Sequence, residues 1–260
     1  MRLIALKTRI IHPGEDLLEA IFEALDKVGL NFFDGDVLAI SSKVVATVQG
    51  RIVKLEDVTP SDEATELAGM CGLEPNYVEV VLREADKVFG GVYGALLTLK
   101  DGLLIPNAGV DQKNAPPGRV VLLPRDPSAY SNGIRMKVYE RTGRRVGVII
   151  VDSCVKPLRM GTVGYALASS GLKPVVDLRS EEDLFGRRVR ITRHSVADDI
   201  ASAAHILMGE TDGRVAAVLV RDAPIELTER DYSSSMNIYP EECLFMGVLL
   251  KCRGLKETEG

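Results

Sequence analysis

The spacing of apolar positions changes period several times along the chain, and each change marks an element. From 15 to 28, Leu17, Leu18, Ile21, Phe22, Leu25 and Val28 recur at helical spacing, with Gly29 as a stop. Val37–Ser41, between DGD and SSK, reads as a short buried strand, and Val44–Val48 as a second one that Gly50 ends. Helices are expected over 61–71 and 76–87, the first opened by Ser61 with Asp62 and Glu63 in its first turn. "GALLTLKDGLLIPNAGV" reads as a hairpin turning at Lys100-Asp101-Gly102. A strand over 118–124 and a helix over 127–141 follow.

"RVGVIIVDS", 145–153, is a continuous apolar run ending in Asp152. That is the pattern of a strand buried on both faces with a carboxylate at its C-terminal edge, where side chains meet a crevice. Further on, alternation predicts a strand over 187–192 and periodicity a helix over 195–208. The helix has an apolar stripe of Val196, Ile200, Ala203 and Leu207, and Asp198 and Asp199 lie on its solvated face. A last core strand is expected at 216–224 and a terminal helix at 240–251. Hairpins mixed with helices argue for an α+β fold with mixed sheets.

Composition narrows the function. An apolar share of 46% and a charged share of 27% are ordinary for a globular protein. A net charge of −5 argues against nucleic acid as a partner. The absence of a long apolar run argues against a membrane span, and the N-terminal stretch lacks a signal-peptide core, so the expected location is the cytoplasm. Cys71, Cys154, Cys243 and Cys252 show no CxxC spacing, and His12, His194 and His205 are scattered. A zinc site is therefore disfavoured, and any metal should be Mg²⁺ or Mn²⁺ held by carboxylates. No phosphate loop, nucleophile elbow or dinucleotide fingerprint is present.

What remains is a dispersed set of polar residues. Asp111 lies in a Pro- and Gly-shaped loop, "LIPNAGVDQKNAP", where an Asx turn and a ligand site are equally open readings. Asp152 ends its strand and Glu210 follows a helix terminus; two or three such carboxylates would suit a hard cation and a triphosphate. Lys43 could meet a phosphate, and Lys156 and Arg159 would bring charge beside Asp152. Cys154 reads as a small buried hydrophobe, and His205 as a partly exposed helix residue.

In order and spacing these segments resemble the coenzyme F-420-0:L-glutamate ligases, the CofE-like family. The resemblance rests on "HPGEDL", "ISSKVVATVQGRI", "NAGVDQKNAP", "LPRDPSAYSNGIR", "VGVIIVDSCVKPLRMGTVGYAL", "DLRSEEDLFGRRVRIT", "SVADDIASAAHILMGE" and "VLVRDAP", which run from about 12 to 224. It implies one CofE-like region over 1–260, with intertwined subdomains bounded near 88 and 177, and an intertwined homodimer. The implied reaction joins L-glutamate to a carboxylate of a deazaflavin precursor through an acyl phosphate, with GTP and Mg²⁺ or Mn²⁺.

Carried over by position, the resemblance makes Asp111, Asp152, Ser153 and Glu210 metal-binding, and Pro13, Gly14, Glu15, Asp16, Ser42, Lys43 and Asn114 nucleotide-binding. Lys113, Lys156 and Arg159 become substrate or phosphate contacts. Departures mark a divergent member. Ala46, Thr47 and Gln49 stand where Ser, Lys and Glu are usual, and Lys113 replaces a Ser. Cys154-Val155-Lys156 lacks a Gly-Arg. The alternative is a paralogue with another amine or carboxylate substrate, or a non-catalytic protein that binds metal and nucleotide.

Overall fold

A computed structural model describes residues 1–232 and 236–256. The chain opens with β1 (Arg2–Lys7), α1 (Leu17–Lys27), β2 (Val37–Ser41) and α2 (Ser42–Val48), followed by β3 (Ile52–Lys54), α3 (Asp62–Cys71) and α4 (Pro75–Glu84). Next come β4 (Lys87–Val92), β5 (Ala95–Lys100), β6 (Leu103–Pro106), β7 (Arg119–Val121) and α5 (Pro127–Thr142). The remainder is β8 (Gly147–Val155), β9 (Thr162–Ser170), β10 (Val175–Asp177), β11 (Arg193–Ser195), α6 (Val196–Met208), β12 (Val215–Arg221) and α7 (Leu244–Lys256). The expected α+β class is observed, with four separate sheets among the described residues. No helix among the described residues is long and apolar enough to cross a membrane.

The central sheet has the order β1-β12-β2-β8-β9, and only β2 and β8 run parallel. Its inner strands are apolar through their middles because both faces are covered, with polar residues only toward the ends of β2, β8 and β12. Leu38, Ile40, Val148, Ile150 and Leu219 face α1, α2 and α5; Val37, Ala39, Ile149, Val218 and Val220 face α6. A separate core lies under α3 and α4, built on Val78, Val81, Leu96, Val110 and Val120. The hairpin turn is where it was expected: Asp101 and Gly102 both have positive φ (49° and 77°), the two-residue geometry that matches strand twist.

Three expectations are corrected. Val44–Val48 is not a strand but the body of α2: Val45 is buried and Val44 and Val48 pack beside it on one core, at helical spacing. Residues 187–192 form no strand, because their alternating apolar side chains find no sheet to cover; Ile191 is exposed, Arg188 makes only an isolated bridge to Glu182, and ladder pairing begins at Arg193. The buried stripe of α6 is Ala197, Ile200, Ala201, Ala204 and Met208, rotated from the expected one, and Leu207 faces outward. The rotation follows from close packing on β9, where a Cβ at Gly164 would lie 2.5 Å from the Ala201 carbonyl oxygen. Alanines, not the larger apolar residues, fit that approach.

Asp198 is corrected with it. Rather than lying on a solvated face, its carboxylate accepts the Ala166 amide of β9 (2.9 Å) and the Ser195 hydroxyl (2.7 Å). Asp199 is exposed as expected, beside His194. The strand carrying Asp152 also runs to Val155, two residues past the expected end, because β9 pairs with it beyond the end of β2.

Candidate functional site

Two cavities adjoin where β2 passes into α2. The smaller, about 220 Å³, is lined by Ser42, Lys43, Tyr77, Asp111, Lys113, Asp152, Ser153, Cys154, Thr162 and Tyr165 among others. The larger, about 640 Å³, takes in Arg9, Ser41, Lys43, Thr47, Lys113, Asn114 and Glu210. Lys43 and Lys113 line both.

The backbone explains the convergence. Parallel pairing of β2 with β8 brings Ser41 opposite Val151, so the residues that follow, Ser42-Lys43 and Asp152-Ser153, leave the sheet at the same edge. A register shift in β8 between Ile150 and Val151 lies just before Asp152; such bulges re-aim side chains next to sites. The loop 107–114 is bent by residues with positive φ, Asn107, Ala108 and Asn114. It is anchored through Asp111, whose amide and carbonyl exchange hydrogen bonds with Val121 at 2.9 and 2.8 Å.

The Asx turn at Asp111 is present, and its second carboxylate oxygen meets a lysine in the cavity. Its Oδ1 accepts the Lys113 amide at 2.7 Å, an Asx turn, while Oδ2 lies 2.5 Å from Lys43 Nζ in the cavity. One oxygen shapes the loop and the other remains at the site.

Asp152 is half-buried, and burial pushes its carboxyl above the ordinary range; the Ser153 amide (2.8 Å to Oδ1), the Lys43 charge and the Ser42 hydroxyl act the other way. Ser153 itself lines the smaller cavity. Glu210 is opposite in behaviour. Burial opposes its ionisation, yet hydrogen bonds from Lys113 Nζ (2.7 Å) and Thr162 Oγ1 (2.6 Å), with the charges of Lys113 and His205, hold it down at about 2. His205 Nε2 lies 3.0 Å from Glu210 Oε1, so this helix residue has a role that its sequence position did not reveal. Asn114 ties the same loop to the Thr211 carbonyl at 2.9 Å.

The donors near Asp111 and Asp152 are hard oxygens, the kind Mg²⁺ or Mn²⁺ takes. Lys43 already presents a positive centre to Asp111 Oδ2. Among the described residues no three His, Cys, Asp or Glu side chains gather into a metal cluster. Two aspartates are nonetheless enough for a cation that draws its remaining ligands from water and substrate phosphates. Glu210 is held by Lys113, Thr162 and His205.

Other candidates lie elsewhere. Gly14, Glu15 and Asp16 line a third cavity, against Val48, Gln49 and Arg125, with exposed Pro13 just before them. Asp16 caps α1 by accepting the Leu18 amide (2.8 Å), and Glu15 pairs with Arg9 of the large cavity. Lys156 and Arg159 are exposed at the tip of the β8–β9 hairpin and line neither of the two adjoining cavities. Cys154 is half-buried rather than fully enclosed, because β8 continues past it into the cavity wall. Of the departures, Thr47 donates to the Lys43 carbonyl (2.8 Å), and Gln49 exchanges hydrogen bonds with the backbone of Arg125 (3.0 and 2.7 Å).

Sequence reasoning passed over Thr162 and Tyr165. Both lie in "GTVGYAL", where the alternation of β9 was the available signal.

Lys113→Ala should release Glu210. Its folded value, lowered to about 2 from an ordinary 4.5, means that the contact contributes fully above 4.5 and is lost as pH falls toward 2. An NMR titration of the Glu210 carboxyl should find its midpoint moving up toward 4.5 in the variant; an unmoved midpoint would remove Lys113 as the cause.

The model of the F420-0:Gamma-glutamyl ligase family matches residues 5–222. A coenzyme F420:L-glutamate ligase from Methanopyrus kandleri is 40% identical over 220 residues, covering 84% of this chain and 85% of that protein. Proteins of the same name from Archaeoglobus fulgidus and Methanothermobacter thermautotrophicus are 39% and 36% identical, covering 82% and 83% of this chain and 83% and 86% of theirs.

Proposed function

The chain belongs to the F420-0:gamma-glutamyl ligase family, a family of amide-bond-forming ligases, and we propose that it adds L-glutamate to a carboxylate of a deazaflavin coenzyme precursor, driven by GTP. The observation that carries this reading is the pair of unequal cavities sharing Lys43 and Lys113, with Asp111 and Asp152 on the wall of the smaller. About 640 Å³ is room for a nucleotide, within the roughly 300–1,000 Å³ of ordinary ligand sites.

A carboxylate is a poor electrophile, so the proposed order is activation first. An acceptor carboxylate oxygen attacks the γ-phosphorus and GDP leaves, giving an acyl phosphate. The glutamate amine then attacks the acyl carbon, phosphate leaves, and the amine gives up a proton. Lys43 and Lys113 are placed to offset charge on the transferring phosphoryl oxygens. Asp111 and Asp152 would hold Mg²⁺ or Mn²⁺, with Ser153 beside them; the metal, when bound, supplies charge neutralisation at the phosphates. Glu210 orients Lys113 toward that junction.

A homodimer is part of the proposal. Leu158 and Met160 on the β8–β9 tip, and Leu184 and Phe185 beyond β10, are large apolar side chains left exposed. Apolar side chains of this size left in water support burial against a second copy.

A second reading, binding without turnover, is favoured by one observation: Thr47 and Gln49 are engaged with backbone, so α2 brings only Lys43 as a cation to the cleft. The test is one experiment with two readouts. GTP binding is titrated with and without Mn²⁺, and phosphate release is followed with a deazaflavin acceptor and glutamate. Metal-dependent binding with phosphate release that requires both substrates is expected. Binding without release would install the second reading, and no nucleotide binding by folded protein would reject both.

A further inference from the structure

The ligation proposed above also needs a place for a polycyclic acceptor, and the two adjoining cavities are spoken for. The larger is taken by the nucleotide. The smaller, about 220 Å³, holds the aspartates and is below the roughly 300–1,000 Å³ of drug-sized sites. The third cavity, about 590 Å³, lies between the starts of α1 and α5 and the end of α2. Its unspent groups are cationic. Of its carboxylates, Glu15 pairs with Arg9, Asp16 caps α1, and Asp126 caps α5 by accepting the Ala129 amide (2.9 Å). Arg125 and Lys137 are exposed and make no ion pair among the described residues. Arg125 is nonetheless fixed at its backbone, because Gln49 accepts its amide (2.7 Å) and donates to its carbonyl (3.0 Å). Asp126 beside it is held at φ 39°, a left-handed conformation that persists only where the surroundings enforce it.

One wall suits a flat ring. Ala129, Gly133 and Lys137 recur every four residues along α5, with Tyr130 and Ile134 in the row beside them. Gly133 stands inside a helix of 16 residues without positive φ, and a Cβ built on it meets nothing within 4 Å. Glycine weakens a helix interior, and here neither backbone nor packing asks for it; what it leaves is open space over the helix. The Tyr130 hydroxyl has no hydrogen-bond partner among the described residues and, unlike that of Tyr165, is not sealed in the core. Burial and the Asp16 charge push it up to about 12, so it remains a donor at neutral pH.

Resting on the ligase reading above, we propose that the third cavity holds the planar ring system of the acceptor. The ring lies on the Ala129–Gly133 face of α5, with Tyr130, Arg125 and Lys137 meeting its polar and anionic edge groups. The rest of the acceptor runs along α2. Val48 lines this cavity and Lys43 the phosphoryl-transfer junction, about 7.5 Å apart along the helix, so the acceptor carries its carboxylate on a chain of at least that length. The paired Arg9 and Glu15, one lining each cavity, stand between ring and nucleotide.

Gly133→Leu fills the cavity from a position whose Cβ meets no protein atom, and leucine is the better helix former. The melting temperature without substrates should therefore be at or above the parent's. KM for the acceptor should rise about tenfold or more, while KM for GTP and for L-glutamate stay within about twofold. Arg125→Gln with Lys137→Gln, at two exposed positions that leave the apolar wall intact, should likewise raise the acceptor KM alone. A deazaflavin that lacks the carboxylate is the direct probe, followed by its own fluorescence. It should bind the parent without GTP or metal, and bind Gly133→Leu about tenfold more weakly. Unchanged acceptor KM and probe affinity in both variants would overturn the inference. A raised GTP KM would give the cavity to the nucleotide and overturn it equally. Parent protein that binds the probe but forms no glutamylated product would reject the ligase reading and leave the ring site standing; active parent with indifferent variants would reject only the site.

Discussion

Asp152→Asn should lower ligation about a thousandfold, toward the upper end of what removing one preorganised electrostatic group costs, and should leave the fold intact. Asparagine is the same size, and its amide oxygen can still accept the Ser153 amide that holds Oδ1 at 2.8 Å. What is lost is the charge. In the folded chain that charge is a burden: burial raises the Asp152 carboxyl above its ordinary 3.8, despite Ser153, Lys43 and Ser42. A raised folded value means that the ionised form disfavours folding at every pH above the unfolded value, and that the penalty vanishes once both states are protonated. The variant should therefore melt at or above the parent temperature at neutral pH and converge with it in acid. Mn²⁺ with GTP should reverse that order, stabilising the parent and leaving the variant where it was. Turnover retained by the asparagine protein would dismiss Asp152 from the chemistry.

The same residue shows how far sequence could reach. An apolar run that ends in Asp predicted a strand buried on both faces, and β8 is such a strand, held between β2 and β9. The Pro- and Gly-bent loop around Asp111 was legible for a similar reason: turn chemistry is local. Contacts made by tertiary packing were not. Val44, Val45 and Val48 are β-branched, and their propensity for strand concealed a helical spacing that only a core on one side rewards. The burial of Ala201 and Ala204 in place of Leu207 depends on Gly164, some forty residues earlier, letting the helix backbone approach. Likewise His205 reaches Glu210 because α6 lies across β9, and nothing in the intervening "ILMG" announces it. The alternation at 187–192 was real, but no sheet lies beneath it: Val189 is only half-buried and Ile191 is left exposed.

Asp36→Ala should destabilise the protein by about 3–5 kcal/mol, the cost of breaking a buried ion pair from one side. Asp36 and Arg221 are 1% and 6% exposed and meet through two parallel hydrogen bonds, Nε to Oδ1 at 2.8 Å and Nη2 to Oδ2 at 2.7 Å. Further contacts hold the pair: Arg221 donates to the Asn31 carbonyl (2.7 Å), Asp36 accepts the Phe33 amide (2.8 Å), and the Phe33 ring lies 4.0 Å from the guanidinium carbon. Alanine at 36 leaves a guanidinium enclosed with one carbonyl and an aromatic face, and it cannot shed its proton. Urea unfolding should show the midpoint fall with little change in slope. Asp36→Ala combined with Arg221→Met should recover part of the loss, because the stranded charge goes with the arginine. Position decides the functional side of the experiment. The pair closes the start of β2 onto the end of β12, while Ser42 and Lys43 leave the other end of β2, so the substitution acts on the population of folded protein and not on its site. Turnover per folded molecule should match the parent at low temperature. A loss of turnover beyond the loss of folded protein would mean that strain at one end of this strand reaches the carboxylates at the other.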